Sequence, residues 1–231
     1  MSEASNRQGI MSCSHRGAPS PPAPLPEGER GVGETPIPRD ILREIEKIFS
    51  QAMEAAGDDH DDTLEGEVAR MFFENNFREA EENLLSKTRK LRVTPLCFPP
   101  RNLRFELDRP YLCQEAPGGP VKLHPGPITG QIAYRRDLFA ASQPPDIPTV
   151  AVILDRHVRM FHPNVSLREG FVCAHLPAGV VSLETLLPAL IAIFAYSVYR
   201  CSSPLNREAA ELFATRAEEV LRDLPPMEPL Y

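Results

Sequence analysis

An α+β domain spanning residues 63–224, behind a Pro-rich N-terminal extension, is the fold class the sequence predicts. Three observations predict it. Apolar residues recur at helical spacing near both ends of that span. Short runs with strand character, separated by Pro and Gly clusters, fill its middle. Residues 1–37 are rich in Pro, Gly, Ser and charge, with Pro21-Pro22-Ala23-Pro24-Leu25-Pro26 the stiffest part, and cannot bury enough apolar surface to offset their ordering entropy.

Residues 38–62 read as an accessory helix, with Ile41, Ile45, Ile48 and Ala52 at helical spacing, and an acidic linker, Gly57-Asp58-Asp59-His60-Asp61-Asp62. The linker lacks the Gly and distal Glu of a calcium loop, so it reads as solvated chain. Asp62 with Glu65 forms a capping box that opens the next helix. Leu64, Val68, Met71, Phe72, Phe77, Ala80 and Leu84 give that helix one apolar stripe, and it is expected to run to about Arg92, ending basic. Pro95, Pro99 and Pro100 stop it.

Leu103-Phe105-Leu107 and Ile132-Tyr134 alternate with polar residues, Val150–Leu154 is continuous, and Val121–Leu123 is a weaker candidate. Gly118-Gly119-Pro120, Pro125-Gly126-Pro127 and Pro144-Pro145 separate them, as hairpin connections of an antiparallel sheet of three or four strands would. Ser182 then caps a buried helix from Leu183 to Tyr196, with a bend expected at Pro188. Asn206 caps a last helix that carries Ala209, Leu212, Phe213, Ala217 and Val220-Leu221 to about Arg222, and residues 225–231 form a tail.

The 231 residues carry a net charge of -7, which argues against a general phosphate-backbone binder and so against a nucleic-acid partner. Leu186–Tyr196 is strongly apolar but too short to cross a bilayer, and reads as a core helix rather than a membrane span. Five cysteines, odd in number and widely spaced, imply neither a disulfide framework nor a metal site. With no basic start followed by an apolar run at the N-terminus, the expected compartment is the cytoplasm.

The chemistry concentrates in Met160–Leu176, MFHPNVSLREGFVCAHL. A cysteine can act as a nucleophile and an asparagine amide can donate to an oxyanion, the pair that acyl transfer needs. Each residue also has a plainer reading: Cys173 as a small buried side chain, Asn164 as a turn residue bonding its own backbone, and His175 as a partly exposed histidine without a role. His162, Cys173 and His175 supply only three ligands with no paired-Cys spacing, which is a poor zinc set, and no cofactor is implied.

With these elements in order, the chain resembles the ubiquitin-conjugating enzymes. The resemblance rests on His162-Pro163-Asn164, on Gly170 three residues before Cys173, and on Pro204-Leu205-Asn206-Arg207-Glu208-Ala209-Ala210, similar to the family's P-x-N-x-E-A-A segment. Gln143–Val150 is similar to the proline-rich lead into the fourth strand. It implies a first helix, a four-stranded antiparallel sheet, the active-site stretch and C-terminal helices.

It also implies that Cys173 carries a ubiquitin-like modifier as a thioester, received from an activating enzyme and passed to an amine, with a ligase or protein substrate as further partner. Asn164 would then steady the oxyanion or the loop beside it, and His162, with Pro163, would anchor the turn. Ser203, just before Pro204, falls where the family has an Asp or Ser that orients or deprotonates the incoming lysine. His175, two residues past the cysteine, would share a strand face with it and act as a base or favour the thiolate.

The sequence departs from the family in four places. The Asn164–Cys173 loop is one residue longer, the Trp-Ser-Pro segment is missing, Cys-Leu-Asp is replaced by Cys173-Ala174-His175, and one helix follows Pro204. These mark a divergent, prokaryotic branch and bear on recognition by a RING-type ligase. They leave open a catalytically inactive scaffold that binds modifiers or partners. A cysteine hydrolase with a Cys173–His175 dyad is a third reading, without a recognisable partner motif.

Overall fold

A computed structural model describes residues 64–135, 138, 139, 148–174, 176 and 179–225, together with Arg43. The extension 1–37, the accessory helix and linker 38–62, the Asp62 cap, His175 and most of the C-terminal tail lie outside the described residues.

Helix α1 (Leu64–Asn83) leads through a 3-10 turn at Leu85–Lys87 into the strands. A four-stranded antiparallel sheet has the spatial order β1 (Leu91–Pro95), β2 (Asn102–Leu107), β5 (Ile128–Tyr134), β6 (Val150–Leu154). Its register pairs Phe105 with Gly130 and Ile132 with Val152. Between β2 and β5 a second, two-stranded sheet is inserted, β3 (Tyr111–Gln114) against β4 (Val121–His124). Helices α2 (Leu183–Phe194) and α3 (Arg207–Leu221) complete the chain. The α+β class, the four-stranded antiparallel sheet and helices at both ends agree with the sequence expectation.

The core lies between the sheet and the helices. Leu103, Phe105, Ile128, Ile132 and Leu154 from the strands are buried with Leu183, Leu186, Leu190 and Phe194 of α2, and Phe105 stacks on Phe194 with centroids 5.8 Å apart. Removing a Leu of this kind costs roughly 2–5 kcal/mol, because the cavity left behind collapses only in part.

Helix α1 differs from expectation in two ways. It ends at Asn83, with no basic residue in its last turn, and the basic run continues as the 3-10 turn and β1. Leu91 is buried while Arg92, Thr94 and Pro95 are exposed, a pattern that suits an edge strand, where Pro95 lacks only a donor. The buried face of α1 is Phe73, Asn76 and Ala80, whereas Val68 and Met71 of the expected stripe are exposed.

Asn76 explains the rotation of that face. Its Oδ1 accepts from Leu183 N at 2.7 Å and its Nδ2 donates to the Tyr134 hydroxyl at 3.3 Å, fastening α1 to the start of α2 and to β5. A buried amide must be satisfied, and that requirement orients the helix. Strand β3 was not expected. All four of its residues are buried, so the polar-apolar alternation that marks a strand is absent.

Ser182 caps α2 as expected, accepting from Thr185 N, and the helix continues through Pro188. A departure from helical geometry falls at Arg216 in α3, with φ -142° and ψ 35°.

Candidate active site

The His162-Pro163-Asn164 turn is fixed from within. His162 Nδ1 accepts from Asn164 N at 3.0 Å, which makes it the unprotonated ring nitrogen. The ring is fully buried between Tyr196 and Phe213, with centroids 5.0 and 6.2 Å away. Desolvation pushes its pKa down to about 3, against a smaller upward pull from the Val198 backbone. That backbone group does not complete a hydrogen bond, since Nε2 has no partner by geometry. A neutral, enclosed imidazole cannot exchange protons with a substrate, so His162 acts as the anchor of the turn.

The aromatic support was not visible in the sequence. Tyr196 takes a positive φ of 58°, at the place after a helix where glycine is usual. Ser197 N donates to Ala192 O at 2.9 Å, which completes a Schellman-type end to α2. The strained tyrosine is held by its surroundings: its ring stacks on Phe213 at 5.8 Å, and its hydroxyl accepts from Leu112 N at 2.9 Å. Residue 196 thereby joins α2, α3 and β3 behind His162.

Asn164 is the hub. Its carbonyl accepts from Cys173 N at 2.9 Å. Its Nδ2 donates to the Cys173 carbonyl at 3.0 Å, and its Oδ1 accepts from Arg200 N at 2.9 Å. The downstream motif closes on the neighbouring residue: Leu205 N and Asn206 N both donate to the Pro163 carbonyl, at 2.8 and 3.2 Å. Asn206 Oδ1 also accepts from Ala209 N at 3.0 Å, capping α3 as expected. The three sequence motifs therefore meet through the backbone of one turn.

Between Asn164 and Cys173 the chain makes a short ladder. Val165 bridges Val172, Ser166 N donates to Phe171 O at 2.8 Å, and Val172 N donates to Val152 O of β6 at 3.0 Å. The longer loop is taken up at its tip, where Gly170 N reaches back to Ser166 O at 2.8 Å and the Ser166 hydroxyl accepts from Glu169 N at 3.2 Å. Gly170 has φ +74°, and a Cβ there would stand 2.8 Å from the Leu154 carbonyl oxygen. Only glycine fits without displacing β6. The turn at Ser166–Gly170 thus brings Cys173 back to pair with Asn164.

Cys173 is half-buried at the open end of this ladder. Burial pushes the thiols of Cys113 and Cys201 up, away from the thiolate form, which sets them apart as nucleophiles. Cys97 Sγ lies 3.3 Å from the Pro99 carbonyl, at the turn between β1 and β2. Ser203 is exposed in the loop between Arg200 and Leu205, both of which bond to the turn, so its segment borders the site. One Nδ2 hydrogen of Asn164 is committed to Cys173 O and the other has no partner among the described residues; a developing oxyanion could take that second donor.

The inserted hairpin is tied to the same region by a residue the sequence reading had placed only within the motif. Glu208 accepts from Gln114 Nε2 at 2.7 Å and from Gly118 N at 2.9 Å, joining α3 to the β3–β4 turn. Gln114 N bonds Arg159 O and Phe161 N bonds Leu112 O, so β3 also braces the strand that leads into His162.

Among the described residues no cluster of three or more His, Cys, Asp or Glu could hold a metal ion, and no helix is long and apolar enough to cross a membrane.

No family model matches the chain. No curated protein matches it either. Solved structures show similarity at low identity, two of them as follows. One, described as a novel ubiquitin-conjugating enzyme, has 16% identity and a TM-score of 0.44, covering 68% of this chain and 92% of its own. The other, from Plasmodium yoelii and described as a ubiquitin conjugating enzyme, has 13% identity and a TM-score of 0.45, covering 67% of this chain and 88% of its own.

Proposed function

We propose that the domain at residues 63–224 is a ubiquitin-conjugating-type acyltransferase with Cys173 as thioester carrier. The observation that carries this reading is the convergence on one turn: Asn164 holds both backbone groups of Cys173, and the Pro204-Leu205-Asn206 segment closes on Pro163. Pro163 and Pro204, 41 positions apart in the sequence, are thereby brought to the same turn as Cys173.

In the proposed cycle the Cys173 thiolate attacks the modifier's thioester on its activating enzyme. A new S–C bond forms, and the activating enzyme's thiol leaves. An acceptor amine then attacks the carbonyl carbon, an amide forms, the S–C bond breaks, and the amine proton ends on the released thiol or in solvent. A thiol near its ordinary pKa serves as both nucleophile and leaving group. The remaining Asn164 N–H would meet the tetrahedral oxyanion, and loss of such a donor typically costs about 10²–10³ in rate. Ser203 would orient the incoming amine, and His175 would act on the thiol or the amine.

A second reading, a scaffold that binds modifier or partner without turnover, is favoured by the commitment of Asn164 Oδ1 and one Nδ2 hydrogen to backbone groups, which is a structural task. Incubation with an activating enzyme, ATP and a ubiquitin-like modifier separates the two. The first reading expects an adduct that reductant removes, and a reductant-stable ester in Cys173→Ser. Retention of unconjugated modifier on the protein with no adduct would favour the scaffold.

A further inference from the structure

On the far side of the 165–171 loop lies a pocket of about 430 Å³ that the proposed reaction does not use. Three arginines line it, Arg156, Arg159 and Arg168, a concentration of positive charge in a chain whose net charge is -7.

Of the two carboxylates in the same lining, Asp155 is engaged elsewhere and Glu169 is shared between Ser166 and Arg168. Asp155 Oδ2 takes Arg104 Nη2 at 2.7 Å and the Thr129 hydroxyl at 2.6 Å. Glu169 takes the Ser166 hydroxyl on Oε2, and its Oε1 stands a loose 3.8 Å from Arg168 Nε. On the cationic side, Arg159 spends one donor on the Leu167 carbonyl at 2.9 Å, and Arg156 has no ion-pair or hydrogen-bond partner among the described residues. The pocket therefore presents Arg156 and Arg159, whose charge its own acids do not take up, beside an Arg168 only loosely paired with Glu169.

We propose that this pocket receives a phosphoryl group carried on a peptide side chain. Three guanidinium groups around one opening suit a dianion better than a single carboxylate, because each fork can take two oxygens. The volume equals roughly a dozen waters at about 30 Å³ each, far more than a bare ion fills. Ile153 and Leu167, both half-buried, supply apolar wall for the residues flanking the anion. Phe171 is buried, so the wall offers no open aromatic face on which a nucleotide base would stack, and the carrier is a peptide rather than a nucleotide.

The test uses the full chain and a fluorescent peptide with one phosphoserine between two leucines, read by anisotropy. Saturable binding is expected, weakened at least about 10-fold when the phosphate is omitted and by a similar factor in the Arg156→Ala, Arg168→Ala double variant. Both arginines are exposed, so the fold survives the change, and the Arg156→Lys, Arg168→Lys variant retains part of the affinity. Rising salt weakens the binding. Equal binding of the phosphorylated and unphosphorylated peptides, or binding indifferent to the double alanine variant, would overturn the proposal. So would displacement of the peptide by an equal concentration of inorganic phosphate, which would mark a site for the bare ion.

Discussion

The two flanks of Cys173 are built on opposite principles. The His162–Asn164 flank is buried, aromatic-lined and fastened by backbone hydrogen bonds, with one Asn164 N–H left for a substrate. The Arg200–Leu205 flank is a loop whose backbone is fastened at both ends while Ser203 between them is exposed. The difference teaches where to look for each kind of effect. Substitutions on the first flank should unfold the site, and substitutions on the second should change turnover without changing stability.

The largest effect expected is acid sensitivity set by His162. Its folded pKa is about 3 against an ordinary value near 6.5, so the folded ring stays neutral while the unfolded ring binds a proton. Its contribution to stability is complete above pH 6.5 and is lost as the pH falls toward 3, on the order of 5 kcal/mol over the whole window. Urea midpoints measured between pH 7 and 4 should fall in the wild type and fall less in His162→Asn. Parallel pH profiles would contradict the neutral anchor.

Asn164→Ala comes next. It leaves the Arg200 N–H and the Cys173 carbonyl without their partner, which should cost about 2–4 kcal/mol in chemical denaturation. Adduct formation at the wild-type rate by the folded Asn164→Ala protein would remove the oxyanion role and leave Asn164 a purely structural residue.

Gly170→Ala forces a side chain into left-handed backbone and against the Leu154 carbonyl, at roughly 2–3 kcal/mol in the same measurement. Asn206→Ala removes the α3 cap and should cost about 1 kcal/mol. Ser203→Ala marks the small end. It should leave the urea midpoint within about 0.5 kcal/mol of wild type while slowing discharge to lysine in a single-turnover chase. A Ser203→Ala protein that discharges at the wild-type rate would remove the serine from the proposed reaction.

The contrast between flanks also explains what could be read from the sequence. Asn164 and Cys173 were readable from their chemistry and closeness in the chain, whereas Gly170 and Pro204–Ala210 were singled out only by the resemblance. The helix caps at Ser182 and Asn206 were readable because a cap is a local hydrogen bond. The α+β class and the strands β2, β4, β5 and β6 followed from short apolar runs punctuated by Pro and Gly.

What was missed depends on partners far away in sequence. Strand β1 was absorbed into the preceding helix because Leu84 and Leu91 also fit helical spacing, and only pairing with β2 makes residues 91–95 extended. Strand β3 was hidden because it is buried throughout, with Gln114 satisfied by Glu208, 94 residues away. The face of α1 was misjudged because a buried asparagine, not a hydrophobic residue, sets it. Tyr196 gave no signal, since its unusual φ is imposed by α3 and β3 packing around it.

The central claim is that Cys173 carries the modifier, and intact-mass spectrometry of the full chain after incubation with activating enzyme, ATP and a ubiquitin-like modifier tests it most directly. The account predicts a gain of one modifier mass less one water, reversed by thiol and mapped to Cys173. The same adduct on Cys97 or Cys201, or in the Cys173→Ala protein, would contradict it.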